Sequence, residues 1–328
     1  MNTIFSVIPG HHRAAASDAG RWTHPVISVG ISTCDRPAAL ARALDAVLDG
    51  RLRPREVVIV DQGTHPATVV VDDQRHRGIP LVHIVQSRRG LAASRNAIIR
   101  HSTGGIVAIT DDDCVPMDDW LSAIAAAFQR RPAPAAVTGR VLPLGPDEPG
   151  TFASSSRTST AHRDYTTGVM PWLLGTGANF AASRALLLDL GGFDERLGAG
   201  SPGMAAEDLE MYARIVDAGG RIRYDPDAVV LHQRHTREQR IASRWTYGHG
   251  IGALCAMTGR RAGAAGLLTL GHWLRAVAGR LWSGLRRGDI RSVHESLLLL
   301  AGTGLGLLYG CRVAHQQRTA VIRAAGLA

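Results

Sequence analysis

Asp111, Asp112 and Asp113 follow one another at the end of an apolar run, residues 106–109. Like charges this close repel, so such a cluster calls for a compensating cation or dense hydrogen bonding. A divalent ion of the Mg²⁺ or Mn²⁺ type meets that need, because it takes one or two carboxylates together with phosphate oxygens. A capped helix start or a solvated turn is the plainer alternative. Glu207-Asp208 is a second acidic pair, placed just before an amphipathic stretch carrying Leu209, Tyr212, Ile215 and Val216. Helix starts favour carboxylates, so capping accounts for the pair. His232 follows residues 228–231 and, like His235 after it, reads most simply as a satisfied imidazole. Asp61, closing the run 56–60, is a turn former or a ligand-binding carboxylate.

The surrounding pattern says how these groups come to be positioned. Short β-prone runs at 26–31, 56–60, 81–85 and 106–109 each stop abruptly at polar residues, and helical stretches at 40–48, 91–100 and 120–128 alternate with them. Strand–helix alternation predicts a mostly parallel sheet with right-handed crossovers. Continuously apolar strands predict that helices cover both faces. In such α/β sheets ligands bind beyond the carboxyl ends of the strands. The polar breaks at Ser32, Thr33 and Arg36, at Asp61, and at Asp111–Asp113 are therefore expected to meet on one rim, although up to 80 residues separate them.

Several segments resemble family 2 glycosyltransferases of the GT-A fold, in that family's order and spacing across about residues 26–235. They are Val-Gly-Ile-Ser-Thr-Cys-Asp-Arg-Pro (29–37), Val-Val-Ile-Val-Asp-Gln-Gly (57–63), Gly-Leu-Ala-Ala-Ser-Arg-Asn (90–96), Thr-Asp-Asp-Asp-Cys-Val-Pro (110–116), Thr-Gly-Ala-Asn-Phe-Ala-Ala-Ser-Arg (176–184), Gly-Gly-Phe-Asp-Glu (191–195) and Glu-Asp-Leu-Glu (207–210). The resemblance implies a Rossmann-like α/β fold that binds a nucleotide-diphosphate sugar and inverts its anomeric centre. On that basis Ser32, Thr33, Arg36 and Asp61 would hold the nucleotide, Arg95 would approach the diphosphate, and Asp111 and Asp112 would contribute to the donor site. Asp113, with Asp111 and His232, would hold Mn²⁺ or Mg²⁺. Asp208 would be the base, with Glu207 as the second choice, while Trp172, Gly177 and Asn179 would shape the acceptor side. Gln62-Gly63 and Cys34-Asp35 depart from the family's usual residues at the base-binding positions. A nucleotidyltransferase would want a glycine-rich basic loop after the first strand, which 32–37 does not supply. A non-catalytic sugar-nucleotide-binding module is the other rival.

Outside these segments the chain changes character. The net charge of +9 rests wholly on arginine, since no lysine occurs among the 328 residues. Residues 233–328 hold 14 arginines against three acids, Glu238, Asp289 and Glu295, so the surplus lies in that part. Apolar helical stretches there, with Trp273, Trp282 and interspersed arginines, predict a basic helical region over 236–328 facing an anionic membrane surface. Residues 296–311 lack charge but fall short of the about 20 needed to span a bilayer. Insertion, an interfacial helix and a small soluble bundle all remain open. No nucleic-acid motif accompanies the arginines. Residues 1–24 lack a basic, apolar leader pattern and are expected to be a mobile lead-in, and the long Gly/Pro/Ser/Thr-rich segment 145–170 a lid near the acceptor. Four scattered cysteines exclude a disulfide scaffold or a zinc finger. These features together predict a cytoplasmic protein, peripheral at the inner face of the membrane, acting on a lipid-linked or polysaccharide glycan.

Overall fold

The computed structural model describes residues 25–324, so the lead-in expected over residues 1–24 lies outside the described residues. The chain opens with β1 (Ile27–Thr33), α1 (Pro37–Leu48), β2 (Glu56–Asp61), α2 (Thr68–Gln74), β3 (Leu81–Val85), α3 (Leu91–His101) and β4 (Ile106–Asp111). These strands pair in parallel, in the order β3-β2-β1-β4. Pro37 opens α1, where its missing N–H costs nothing, and Leu40, Leu44 and Val47 of that helix are buried. Along β2 the side chains alternate: Val57 and Ile59 pack with Leu40, Leu44 and Ile31, whereas Val58 and Val60 pack with Ile98 of α3. Gly30 lies mid-strand because α3 crosses closely there, and a Cβ at that position would stand 2.3 Å from Ile98 Cγ2.

The second half of the sheet is mixed. It contains β5 (Cys114–Pro116), β6 (Ala136–Pro143), β7 (Arg163–Tyr165), β8 (Phe180–Ser183) and β9 (Ile222–His232), with α4 (Trp120–Gln129), α5 (Arg184–Asp189) and α6 (Glu207–Asp217) between them. The order continues β4-β8-β6-β9-β5, with β8 antiparallel to both neighbours, and β7 adds to β9. Trp120 and Ile124 of α4 join the α1 side of the core; Tyr212 and Ile215 of α6 join the α3 side. The alternating motif reading thus describes the first half, and the antiparallel insertion of β8 supplies the rest.

Three long helices complete the described residues: α7 (Arg237–Ala262), α8 (Ala264–Arg287) and α9 (Ile290–Ala324). Thr236 caps α7 through a reciprocal pair of bonds with Gln239. Helices α7 and α9 meet backbone to backbone along glycines. A Cβ on Gly306 would lie 1.9 Å from the His249 carbonyl oxygen, and one on Gly252 would lie 2.2 Å from that of Thr303. Gly302, Gly306 and Gly310 recur every fourth residue, the spacing that puts small residues on one helical face. On the outer side of α9, Leu297, Leu305 and Leu308 are exposed, as are Leu267, Leu268, Trp282 and Leu285 of α8. Residues 290–316 of α9 are long and apolar enough to cross a membrane, with mean hydropathy 1.6. The uncharged stretch 296–311 is therefore part of a longer helix with one packed and one open face.

Candidate active site

Strand register gathers the site. Ser32 stands opposite Asp111 and Thr33 opposite Asp61, so the carboxyl ends of β1, β2 and β4 finish level. Beyond that edge lies a cleft of about 650 Å³ whose walls include Ser32, Thr33, Arg36, Arg95, Asp111, Asp113, Glu207, Asp208 and His232. With Gln62 and Gly177, which also line it, residues from six of the seven motifs share one cavity. Asp61, Asp112 and Asn179 lie outside its lining and are buried.

Each of those three has a definable structural task. Asp61 accepts from the backbone N–H groups of Gly63 (2.8 Å) and Ala67 (2.7 Å), which closes the loop after β2. Gln62 faces the cleft in its stead and exchanges hydrogen bonds with the backbone of Gly90. Asp112 lies in the two-residue turn between β4 and β5, and its buried side chain is held away from the cleft. It accepts from Thr33 Oγ1 at 2.7 Å and pairs with Arg36 at 2.5 Å. Burial pushes its carboxyl up to about 6, with Arg36 and Thr33 pulling the other way. Asn179 accepts from Trp120 Nε1 and donates to the carbonyls of Arg140 and Ala228, and so ties β6, β9 and α4 together behind the cleft.

On the rim itself, Asp111, Asp113, Cys114 and His232 each offer a ligand atom, all within 4.8 Å of one another. Antiparallel pairing of β5 with β9 sets Cys114 opposite His232 and so brings the imidazole to the acids. His232 Nδ1 lies 2.8 Å from the Gln233 carbonyl, which can only accept, so Nδ1 carries the proton. Nε2 then faces Asp113, 3.7 Å away, and is the ring nitrogen turned toward the acids. Burial, reinforced by Asp111 and Asp113, raises the Cys114 thiol well above its ordinary range. A neutral thiol is a poor partner for a hard ion, so the donor set that fits Mn²⁺ or Mg²⁺ is Asp111, Asp113 and His232. Arg36 pairs with Asp113 at 2.9 Å and balances part of this charge.

Arg95 is 2% exposed and bridges the two acidic groups: Nη2 lies 3.1 Å from Asp111 and Nη1 2.7 Å from Glu207. It lines the cleft, but both ends of its fork are engaged within the protein. Burial pushes the Glu207 carboxyl up, Arg95 opposes the shift, and Asp208 adds to it. Glu207 is thus a held structural acid. Asp208 is partly exposed in the cleft, where Oδ2 accepts from the Gly177 N–H at 2.7 Å and Oδ1 from the Leu209 N–H at 2.8 Å. Each oxygen keeps a second lone pair, so the carboxylate is oriented and still able to accept. Position 177 has to be glycine for this contact, since a Cβ there would lie 2.6 Å from Arg95 Nη1.

Trp172 lies at the far side of the cleft, edge-on to Trp273 of α8 with centroids 5.6 Å apart. Trp273 donates to Thr303 Oγ1 of α9 at 2.9 Å. Tyr247 of α7 and Ser154 and Ser155 complete that wall. Segment 145–170 is pinned there by paired backbone bonds between Phe152 and His235 and between Val141 and Arg157. Motif reading missed Tyr247, Trp273 and Cys114. For Cys114 the antiparallel β5–β9 pairing decides, whereas no local signal marks the two aromatic residues.

Comparison with known proteins agrees with this geometry. Residues 28–187 match the family described as glycosyl transferase family 2. The chain is 28% identical over 309 residues to the pre-mycofactocin glycosyltransferase of Mycobacterium tuberculosis, an alignment covering 91% of this chain and 59% of that protein. It is 25% identical over 229 residues to the glucosyl-dolichyl phosphate glucuronosyltransferase of Haloferax volcanii, covering 63% of this chain and 69% of that one. Among solved structures, the mannosyltransferase PcManGT from Pyrobaculum calidifontis, in complex with GDP-Man and Mn²⁺, superposes with a TM-score of 0.56 at 23% identity, covering 88% of this chain and 86% of its own. The fold is accordingly of the GT-A type. With strand-end acids on one rim and its motif-bearing segment matched over residues 28–187, the chain carries a glycosyl transferase family 2 domain.

Proposed function

We propose that this chain is a metal-dependent, inverting glycosyltransferase that moves a sugar from a nucleotide-diphosphate sugar to a hydroxyl acceptor. One observation carries the reading: the hard-ion donor set Asp111, Asp113 and His232 and the oriented carboxylate of Asp208 share a single cleft. Ser32, Thr33, Arg36 and Gln62 supply the nucleotide side. Asp111, Asp113 and His232 would hold Mn²⁺ or Mg²⁺, which neutralises the diphosphate leaving group when bound. Asp208 takes the acceptor hydroxyl's proton as that oxygen attacks the anomeric carbon from the face opposite the diphosphate. Arg95 fixes Glu207 and Asp111 in place, so the base and the donor rim keep their spacing. Trp172 and Trp273 give the acceptor an aromatic wall. The Mn²⁺ and GDP-Man held by the Pyrobaculum enzyme support the cofactor and donor class.

The acceptor is a lipid-linked or polysaccharide glycan, handled at the cytoplasmic membrane surface. The exposed apolar side of α8 and α9, edged by Arg286, Arg287 and Arg291, supports attachment to an anionic bilayer. The dolichyl phosphate-linked substrate in the Haloferax relative's name supports the acceptor class. Purified full-length protein incubated with Mn²⁺ and a panel of nucleotide sugars should release nucleoside diphosphate. Asp208→Asn should remove turnover while keeping donor binding. Unchanged turnover in that variant would take Asp208 out of the base role.

A further inference from the structure

Behind the acceptor wall, α7, α8 and α9 bring three arginines onto one carboxylate. Glu295 of α9 is 2% exposed and accepts from Arg240 Nε at 2.6 Å and Nη2 at 3.0 Å, in a fork-on-carboxylate pair. Arg280 Nη2 also bonds its Oε2, and Arg244 Nε lies 3.3 Å from the same oxygen. Three cations thus share one anion, which leaves a local excess of two positive charges. The Nε atoms of Arg244 and Arg280 are buried without hydrogen-bond partners. Their side chains as a whole stay 20% and 38% exposed. The cations Arg240 and Arg291 also stack on the Phe152 ring, at 4.7 Å and 5.2 Å. A cluster needed only to bury Glu295 would require one bidentate arginine; the other two are surplus.

The cluster's position supplies its purpose. Tyr247, three residues after Arg244 on α7, lines the cleft, as does His235, which is paired with Phe152. Trp273 is seven residues before Arg280 on α8, about 10 Å along the helix. We propose that Arg240, Arg244 and Arg280 form an anion site beside the acceptor mouth, one that takes a phosphate or diphosphate ester at the charged end of the acceptor. The assignment to the acceptor rests on the transferase reading above. An ester held there leaves the neighbouring sugar hydroxyl to reach past the Trp172–Trp273 wall toward Asp208. The test is the thermal midpoint of the full-length protein with inorganic pyrophosphate, without divalent metal. Pyrophosphate should raise the wild-type midpoint by about 2–4 °C, and Arg244→Gln/Arg280→Gln should lose that rise. The same double variant should still bind Mn²⁺ with a nucleoside diphosphate, whereas Asp113→Asn should show the reverse pattern. Glu295→Gln should melt lower than wild type yet show a larger rise with pyrophosphate, because the competing carboxylate is gone. A rise that persists in the double variant, or vanishes in Glu295→Gln, would overturn the site. Vesicles containing phosphatidic acid distinguish the source. If they displace pyrophosphate, the ester can come from a lipid headgroup; if they do not, it is that of a discrete acceptor. Loss of Mn²⁺–nucleotide binding in wild type would refute the donor reading alone.

Discussion

Replacing Arg95 by Met would separate the two acidic groups that this residue holds together. Arg95 and Glu207 are 2% and 5% exposed, and their ion pair is 2.7 Å long. Removing one partner of such a pair strands the other charge in a dry place, at a cost of about 3–5 kcal/mol. For a chain of this size that corresponds to a fall in Tm of roughly 10 °C. The loss should depend on pH in a defined direction. Burial already raises the Glu207 carboxyl, and loss of Arg95 raises it further. A group whose folded pKa is raised contributes stability at low pH that disappears as pH climbs through that value. The deficit of Arg95→Met should therefore be larger at pH 8 than at pH 5.5. Adding Glu207→Gln removes the stranded charge and should recover about 2 kcal/mol at pH 8. Urea denaturation of wild type, both single variants and the double variant at the two pH values measures all of this. An Arg95→Met loss below about 1 kcal/mol, the level of an exposed pair, would refute the bridging role, as would a double variant no more stable than Arg95→Met.

Gly177→Ala forces a Cβ to within 2.6 Å of Arg95 Nη1 and displaces the N–H that orients Asp208; kcat should fall on the order of 100-fold in a nucleotide-release assay, with donor affinity retained. Glu56 accepts from Ser28 Oγ and from the Thr103 N–H and Oγ1, and despite its burial these bonds hold its carboxyl below the ordinary range. Its contribution is present above the ordinary Glu pKa and is lost as pH falls through the folded value. Glu56→Gln should thus cost about 2 kcal/mol in denaturation at pH 7, with the gap to wild type narrowing in acid. Gly306→Ala should destabilise by about 3 kcal/mol because α7 leaves no room for a methyl group, whereas Gly304→Ala, with open space around it, should stabilise by up to about 1 kcal/mol; paired melting curves check both.

The strand-end rim was legible in sequence because each apolar strand ends abruptly in a polar residue. Parallel pairing then leaves little freedom: once β1 lies between β2 and β4, Thr33, Asp61 and Asp111 have to finish together. The division of labour within the rim was harder to read. Asp111, Asp112 and Asp113 look alike in sequence, yet the turn after β4 sends Asp112 inward to Thr33 and Arg36 and leaves its neighbours on the cleft. The strand pattern ends at Asp111 and does not foretell how the turn aims the next two side chains. Asp61 likewise meets the rim but spends both oxygens on its own loop. The aromatic wall of the cleft was not legible, because Trp172 and Trp273 are 101 residues apart and meet only when α8 folds back on the sheet domain. The four-residue glycine spacing in α9 is a local sign of close helix packing that went unread, and it does not name α7 as the partner.

Direct titration of Mn²⁺ by its EPR signal, with a nucleoside diphosphate present, tests the proposed donor rim most closely. Wild-type protein should bind the ion, and Asp113→Asn should weaken binding on the order of 100-fold while Asp208→Asn leaves it unchanged. Equal Mn²⁺ affinity in wild type and Asp113→Asn would contradict the assignment of Asp111, Asp113 and His232 as the seat of metal and diphosphate.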